Sequence, residues 1–123
     1  MLVADDSAPI RQVLGQLVSG LRRFELVGEA NDGLEALDAI RRLKPDVVIL
    51  DIRMPRMNGL EVLQVMRAEG TRCKVIVFSQ FGDEAYRKKC CELGAHAFFD
   101  KVAEIEAFQQ ALKLLPSESE PTS

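Results

Sequence analysis

Short apolar runs alternate along this chain with stretches of helical periodicity, and this alternation constrains the fold more than any other feature. Residues 47–50 and 75–78 are apolar throughout, and each run has the length of a buried strand. Between them, apolar residues recur at helical spacing over 59–68, and Gly70 predicts the end of that helix. Strands that are apolar on both faces are typical of parallel sheets covered by helices on either side.

The same pattern predicts five strands and five helices in alternation along the whole chain. Asp32 predicts the cap of the second helix, and Pro45 predicts its end. The predicted strands are 2–4, 24–30, 47–50, 75–78 and 97–99, and the predicted helices cover the apolar faces of 10–21, 34–43 and 105–115 and the segments 59–68 and 83–93.

Connection rules narrow these elements to one preferred topology. Because crossovers between parallel strands are right-handed, we predict an α/β fold of the flavodoxin-like (βα)5 type. It is a five-stranded parallel sheet of order 2-1-3-4-5 with helices on both faces. This order places the second strand, whose glutamates alternate loosely with apolar residues, at an edge of the sheet. Residues 1–115 are predicted to form one domain, and 116–123 a disordered polar tail.

Charge and composition narrow the possible partners. The chain has 123 residues with 16 basic and 19 acidic side chains, a net charge of −3 that argues against nucleic acid or a membrane surface as the main partner. No apolar run approaches the roughly 20 residues of a membrane span, and the first residues do not form a signal peptide. We therefore expect a cytoplasmic protein. The three cysteines and His96 do not form a zinc set, and we interpret the thiols as small buried or half-buried side chains.

Polar residues stand where the predicted strands end. In sheets of this kind the ligand crevice lies outside the carboxyl ends of the strands, where the strand order reverses. Carboxylates crowded there repel one another, and a hard cation such as Mg²⁺ relieves the repulsion. Taken singly, each residue has an ordinary explanation as a turn, cap or surface residue, and Ser7 could cap the first helix after the acidic pair. Taken together, they predict a Mg²⁺ site open to a phosphorylated substrate: Asp5, Asp6, Asp51, Ser79 and Lys101.

These residues resemble those of a response-regulator receiver domain of bacterial two-component signalling. The resemblance extends over residues 2–115, and the segment 98–108, FFDKVAEIEAF, resembles receivers of the helix-turn-helix-linked type, although these 123 residues hold no DNA-binding domain. It rests on the pair Asp5-Asp6, on DIRMPRMNG at 51–59, on VIVFS at 75–79 and on GAHAFFDK at 94–101.

The resemblance implies a role for each position. Asp51 would take a phosphoryl group from the phosphohistidine of a sensor histidine kinase or a phosphotransfer protein. Ser79 and Lys101 would complete the catalytic set, and Ser79 with Phe98 would form the conformational switch. The implied ligands of Mg²⁺, the one expected cofactor, are Asp5, Asp6, Asp51 and the backbone carbonyl of Arg53.

The implied protein is a signalling phosphoacceptor that catalyses only its own phosphorylation and dephosphorylation. Its downstream target is unknown, and phosphorylation could make it dimerise through the last two helices and the fifth strand. Three positions depart from the family pattern. Val102 replaces a common proline, so a cis peptide is not assumed there, and we expect Gln80 and Arg53 to alter access to the phosphate and its lifetime.

Three other functions remain open from the sequence. A receiver fold could serve as a docking module that is never phosphorylated. A Mg²⁺-dependent phosphohydrolase with an aspartyl nucleophile would need a second aspartate as general acid where Arg53 stands. A flavodoxin-like cofactor carrier would need a phosphate cradle rich in Ser, Thr and Gly after the first strand, where Asp5 and Asp6 stand instead.

Overall fold

The computed structural model of the chain describes residues 1–21, 24–80 and 84–115, within which five strands alternate with five helices. The predicted tail 116–123 and Asp83, the predicted first residue of the fourth helix, lie outside these residues. The strands are β1 (Leu2–Ala4), β2 (Gly28–Ala30), β3 (Val47–Leu50), β4 (Lys74–Ser79) and β5 (Ala97–Asp100). The helices are α1 (Ala8–Ser19), α2 (Gly33–Leu43), α3 (Gly59–Glu69), α4 (Glu84–Glu92) and α5 (Ile105–Leu114).

All five strands form one parallel sheet in the order β2-β1-β3-β4-β5, which confirms the predicted topology. The strand order reverses between β1 and β3, so the carboxyl ends of these two central strands border one crevice. Asp51, the first residue after β3, donates its backbone N–H to the Ala4 carbonyl at 2.9 Å. The ends of β1 and β3 are therefore held level with each other.

Consecutive strand residues face opposite sides of the sheet, and each side has its own core. Leu50 and Val77 belong to the core beneath α2, α3 and α4, whereas Ile49 and Ile76 belong to the core beneath α1 and α5. Phe78 stacks on Phe108 of α5 with ring centroids 4.0 Å apart. This two-sided burial explains why β1, β3 and β4 are apolar throughout.

Side-chain caps fix where α1, α2 and α3 begin. The Ser7 hydroxyl accepts the Ile10 N–H of α1, which is the cap that the ordinary explanation of the acidic pair included. Asp32 accepts the Glu35 N–H of α2, as predicted. Asn58 and Glu61 form a reciprocal capping box at the start of α3, which places the helix directly beyond the crevice loop. Gly70 ends α3 in the left-handed region with φ of 70°, as the sequence predicted.

The second strand is shorter than predicted. The sequence pattern indicated a strand over 24–30, but only Gly28–Ala30 form a ladder. Its partner β1 has three residues, with Leu2 opposite Gly28, so residues 24–27 have no strand to pair with. Exposed and half-buried side chains still alternate over 24–29, and this alternation is what the sequence pattern had detected.

Candidate functional site

Three carboxylates meet at the carboxyl ends of β1 and β3. One oxygen of each of Asp5, Asp6 and Asp51 lies within 4.8 Å of the others. Asp5 and Asp51 are buried, at 1% and 5% exposure, whereas Asp6 is exposed. The structure thus brings together the three acidic residues that the sequence predicted as metal ligands.

Lys101 places its ammonium group between the two buried carboxylates. Its Nζ lies 2.6 Å from Asp5 Oδ2 and 3.2 Å from Asp51 Oδ2, and its side chain is 13% exposed. Burial alone would lower the pKa of Lys101, but the hydrogen bond and charge of Asp5 and the charge of Asp51 outweigh burial and raise it. Lys101 therefore stays charged and partly neutralises the acidic cluster.

Asp51 has a raised pKa, and its main cause is burial. The positive charge of Lys101 opposes this shift, the negative charge of Asp5 adds to it, and hydrogen bonds from Lys101 and Ser79 oppose it again. The repulsion between carboxylates that the sequence led us to expect is present, but desolvation contributes more. Asp51 Oδ1 also accepts the N–H of Ile52 at 2.8 Å.

Ser79 and the segment after β5 complete the crevice. Ser79 is the last residue of β4, is fully buried and hydrogen-bonds the Asp51 carboxylate. The Lys101 N–H donates to the Ser79 carbonyl at 3.0 Å. The Asp100 carboxylate accepts the backbone N–H groups of Val102 and Ala103 at 2.8 and 2.9 Å, which holds the turn after Lys101. The described residues contain no cis peptide, so the Lys101-Val102 bond is trans.

A close backbone approach holds the loop between β3 and α3 beneath Asp51. The Gly59 N–H donates to the Ile52 carbonyl at 2.7 Å, and a Cβ at Gly59 would lie only 2.3 Å from the Asp51 carbonyl oxygen. Arg56 in this loop has a φ of 69° and pairs with the Asp32 carboxylate at 3.2 Å. Arg53 and Gln80, which follow β3 and β4 closely in the sequence, both have exposed side chains.

Arg11 of α1 contacts the backbone of the acidic pair, a contact that the sequence did not predict. Its Nη1 donates to the Asp5 carbonyl at 2.7 Å, and its Nε lies 3.4 Å from Glu29 Oε1 in β2. A cation in the first turns of α1 close behind an acidic pair was the available signal. The partner on β2, however, depends on strand order and could not be read from local spacing.

Phe98 lies beneath a second arginine that was also missed. Phe98 is 5% exposed and belongs to the core beneath α2, α3 and α4, whereas its neighbour Phe99 packs against Phe108 on the opposite side. Arg87 of α4 lies 4.8 Å above the Phe98 ring and donates to the Phe98 carbonyl at 3.1 Å. Arg87 also pairs with Glu104, whose carboxylate accepts the Asp100 N–H at 3.1 Å.

The residues of the crevice fit a hard divalent cation. Mg²⁺ takes oxygen ligands and usually binds one or two carboxylates while keeping several waters. The crevice offers buried and exposed carboxylate oxygens in one cluster. Asp5 Oδ2 lies 2.6 Å from the Lys101 ammonium, and it still has a lone pair that a metal ion can use.

The thiols show no catalytic or metal-binding arrangement among the described residues. Cys90 is buried and Cys73 half-buried, as expected, and burial raises the pKa of each to about 11. Cys91 is exposed, which corrects the prediction that all three are at least half-buried. The reason is that neighbouring residues on α4 face different directions. No helix in the described ranges is long and apolar enough to cross a membrane.

Comparisons with known proteins point to one family. The sequence pattern of the family described as "Response regulator receiver domain" matches residues 1–113. Among curated proteins, the chain is similar to the protein-glutamate methylesterase/protein-glutamine glutaminase of Treponema pallidum, at 39% identity over 103 residues. The match covers 82% of this chain but only 26% of that relative, so the chain spans about a quarter of its length.

Solved structures show the same fold. A DNA-binding response regulator of the LuxR family from Staphylococcus aureus superimposes with a TM-score of 0.83 at 34% identity, covering 90% of this chain and 92% of that one. CheY from Borrelia burgdorferi, solved in complex with CheX, BeF3 and Mg²⁺, gives a TM-score of 0.81 at 30% identity, covering 90% and 84% of the two chains.

Proposed function

The chain belongs to the response regulator receiver domain family of two-component systems, and from that membership we propose that it accepts a phosphoryl group on Asp51 in a Mg²⁺-dependent reaction. One observation carries the proposal. The Asp51 carboxylate and the Lys101 ammonium, 3.2 Å apart, share a crevice with the carboxylates of Asp5 and Asp6. This arrangement supplies a nucleophile, a fixed cation and oxygen ligands for a metal at one point.

The chemistry requires positioning and charge neutralisation more than acid or base catalysis. A carboxylate oxygen of Asp51 attacks the phosphorus, the P–N bond of the phosphohistidine breaks, and the imidazole nitrogen keeps the electron pair. Lys101 then pairs with the new phosphoryl group, and the Ser79 hydroxyl donates to a phosphoryl oxygen. Mg²⁺ held by Asp5, Asp6, Asp51 and the Arg53 carbonyl would neutralise the transferring oxygens.

The expected phosphodonor is a phosphohistidine protein. Receivers of this family typically interact with histidine kinases or phosphotransfer proteins, and we propose a partner of this kind for this chain. The similar structure of CheY in complex with CheX contains Mg²⁺ and BeF3, and this supports Mg²⁺ as the cation for the acidic crevice here. The three free thiols suit a reducing compartment and support a cytoplasmic location.

Phosphorylation is proposed to act on the output face through Ser79 and Phe98. An aspartyl phosphate adds charge and acceptor oxygens next to the Ser79 hydroxyl, which would draw Ser79 towards the phosphate. Phe98 lies two residues before Asp100, which pairs with Ser79 across the ladder between β4 and β5. A change at Ser79 can therefore reach Phe98 and its partner Arg87.

Two alternatives give different outcomes in solution. A phosphohydrolase would turn over many phosphomonoesters per protein, and Arg53 at the position of its general acid counts against that activity. The curated methylesterase relatives are about four times longer than the matched part, so esterase activity in a longer protein would be separate from the phosphoacceptor function proposed here. A docking module would have the fold but take up no phosphate.

The decisive experiment is intact-mass measurement after exposure to acetyl phosphate and Mg²⁺. The wild type should gain the mass of one phosphoryl group, and Asp51→Asn should gain none. Asp46→Asn is the matched control, because Asp46 directly precedes β3 at the opposite end of the same strand and should leave the gain unchanged. A wild type without added mass, or an Asp51→Asn variant that still gains it, would contradict the proposal.

A further inference from the structure

Asp5 is held by contacts at both its backbone and its carboxylate. Its N–H donates to the Ala30 carbonyl of β2 at 3.0 Å, and its Oδ1 accepts the Ser7 N–H at 2.9 Å. Lys101 lies against its Oδ2 at 2.6 Å. The remaining polar atom, the carbonyl oxygen, accepts a hydrogen bond from Arg11 Nη1 at 2.7 Å. That carbonyl belongs to the peptide that joins Asp5 to Asp6.

Arg11 spans three parts of the fold. It lies in α1, its Nη1 contacts the loop after β1, and its Nε lies 3.4 Å from Glu29 Oε1 on β2. The Arg11 side chain is only 19% exposed, whereas the Glu29 side chain is 46% exposed. The planar guanidinium can hold both partners at once, which a lysine ammonium at the same place cannot do with the same geometry.

The Asp5–Asp6 peptide needs such a support because the carboxylates repel one another. Oxygens of Asp5, Asp6 and Asp51 lie within 4.8 Å, and Asp6 is exposed, so little packing restrains its side chain. The direction of Asp6 then depends on the peptide that precedes it. A charged donor on the carbonyl of that peptide fixes its orientation, as partners behind metal ligands commonly do.

We propose that Arg11 is a positioning residue for the divalent-cation site. It sets the orientation of the Asp5–Asp6 peptide and hence the affinity for Mg²⁺, and Glu29 on the edge strand holds Arg11 in place. The inference rests on the proposed function, because it requires a cation at the acidic cluster. Arg11 thereby connects Glu29 on the short strand β2 with the proposed metal site.

Calorimetric titration with Mg²⁺ tests the inference directly. Arg11→Ala should raise the dissociation constant for Mg²⁺ about tenfold, as loss of a residue that hydrogen-bonds a metal ligand typically does. Arg11→Lys should recover part of the affinity, because it keeps a charge and one donor at the carbonyl. Glu29→Gln should raise the dissociation constant for Mg²⁺ by less than Arg11→Ala does, because Arg11 keeps its bond to Asp5 but loses its ion pair with Glu29.

Arg42→Ala is the matched control. Arg42 is also a helical arginine paired with a carboxylate, Asp38 at 3.6 Å, but it is 66% exposed and lies on α2 away from the cluster. Its removal should leave Mg²⁺ affinity unchanged. The melting temperature of each variant without metal separates the two possible roles of Arg11, because a merely structural arginine would lower that temperature without changing the dissociation constant.

The outcomes distinguish this inference from the proposed function. If the wild type and Arg11→Ala bind Mg²⁺ equally well, the positioning role is wrong and the metal site stands. If the wild type binds no Mg²⁺, the proposed function fails and the inference fails with it. Should Arg11→Ala not fold, wild-type affinity in both Arg11→Lys and Glu29→Gln would overturn the inference.

Discussion

At the scale of single residues, the site combines buried charge with one fixed cation. The Asp51 carboxylate is buried and contacts Lys101, Ser79 and the N–H of Ile52. Burial is the largest cause of its raised pKa. The ionised form of Asp51 therefore has an unfavourable desolvation free energy in the folded protein without metal. That cost is consistent with a residue selected for reactivity, because stability alone would favour a neutral side chain.

Asp51→Asn should stabilise the metal-free protein. The folded-state pKa of Asp51 lies above its ordinary value, so the folded state binds this proton more tightly than the unfolded chain does. The ionised carboxylate thus opposes folding above that pKa, and the opposition disappears as the pH falls through it. At pH 7 with a chelator present, we expect Asp51→Asn to melt at a higher temperature than the wild type.

Thermal denaturation of the wild type, Asp51→Asn and Asp46→Asn checks this prediction. Asp46→Asn makes the same chemical change at the other end of β3 and should alter the melting temperature less. The difference between wild type and Asp51→Asn should shrink in acid, because the wild-type carboxyl is then protonated. A lower melting temperature for Asp51→Asn at pH 7 would mean that its ion pair with Lys101 outweighs burial.

At the scale of secondary-structure elements, two contacts hold the crevice in shape. The start of α3 packs directly on the end of β3 at Gly59, and α4 is tied to β5 and α5 by Arg87 and Glu104. The first contact positions Asp51, the proposed nucleophile, and the second surrounds Phe98, the proposed switch residue. Each contact can be changed without altering Asp5, Asp6 or Asp51.

Gly59→Ala should destabilise the fold strongly. An added Cβ would lie 2.3 Å from the Asp51 carbonyl oxygen, a backbone atom that can move away only if β3 or α3 shifts. We expect a loss of about 2 kcal/mol or more in the free energy of unfolding. Gly15→Ala is the control, because its Cβ would meet only the flexible Leu26 side chain at 3.4 Å, and alanine favours the helix. Equal stability of the two variants in urea would contradict this packing.

The Arg87–Glu104 pair should show measurable coupling. Both side chains are about one-third exposed and share contacts with β5, so the coupling energy in a double-mutant cycle should be about 0.5–1 kcal/mol. Arg87→Met and Glu104→Gln with their double variant form the cycle, measured by urea denaturation. The more exposed pair Arg42 and Asp38, four residues apart on α2, should give a smaller value of about 0.3–0.5 kcal/mol. Zero coupling at Arg87–Glu104 would show that the pair does not hold α4 to β5.

At the scale of the whole molecule, Mg²⁺ binding should stabilise the fold. A cation that binds the folded state and relieves repulsion among three carboxylates raises the free energy of unfolding by about 2.7 kcal/mol when it is present at 100 times its dissociation constant. The melting temperature should therefore rise with Mg²⁺ concentration.

Asp6→Asn tests whether the rise of the melting temperature with Mg²⁺ comes from binding at the acidic cluster. Asp6 is exposed, so the substitution should change the metal-free melting temperature little while reducing the rise with Mg²⁺. Glu106→Gln, a substitution in the first turn of α5, should leave the rise unchanged. An Asp6→Asn variant with the full Mg²⁺ response would place the metal elsewhere.

The sheet order and the cluster of polar residues at the strand ends could be predicted from the sequence, but the arginine contacts around that cluster could not. Apolar runs and strand-end residues were enough to predict the sheet order and the meeting of Asp5, Asp6, Asp51 and Lys101, because parallel strands bring their carboxyl ends together. The shortened β2 was not predictable, since its length depends on that of its partner β1. Arg11 pairs with Glu29, 18 positions along the chain, and Arg87 pairs with Glu104, 17 positions along. Because the partners are so far apart in sequence, no local spacing predicts these ion pairs.

The central claim is that Asp51 is the phosphorylated residue, and reductive trapping tests it most directly. Borohydride converts an aspartyl phosphate to homoserine, which peptide sequencing by mass spectrometry can locate. After treatment with acetyl phosphate and Mg²⁺, homoserine should appear at position 51 alone, and it should be absent when a chelator removes the metal. Homoserine at another aspartate, or none in protein that has been exposed to the phosphodonor and Mg²⁺, would contradict the account.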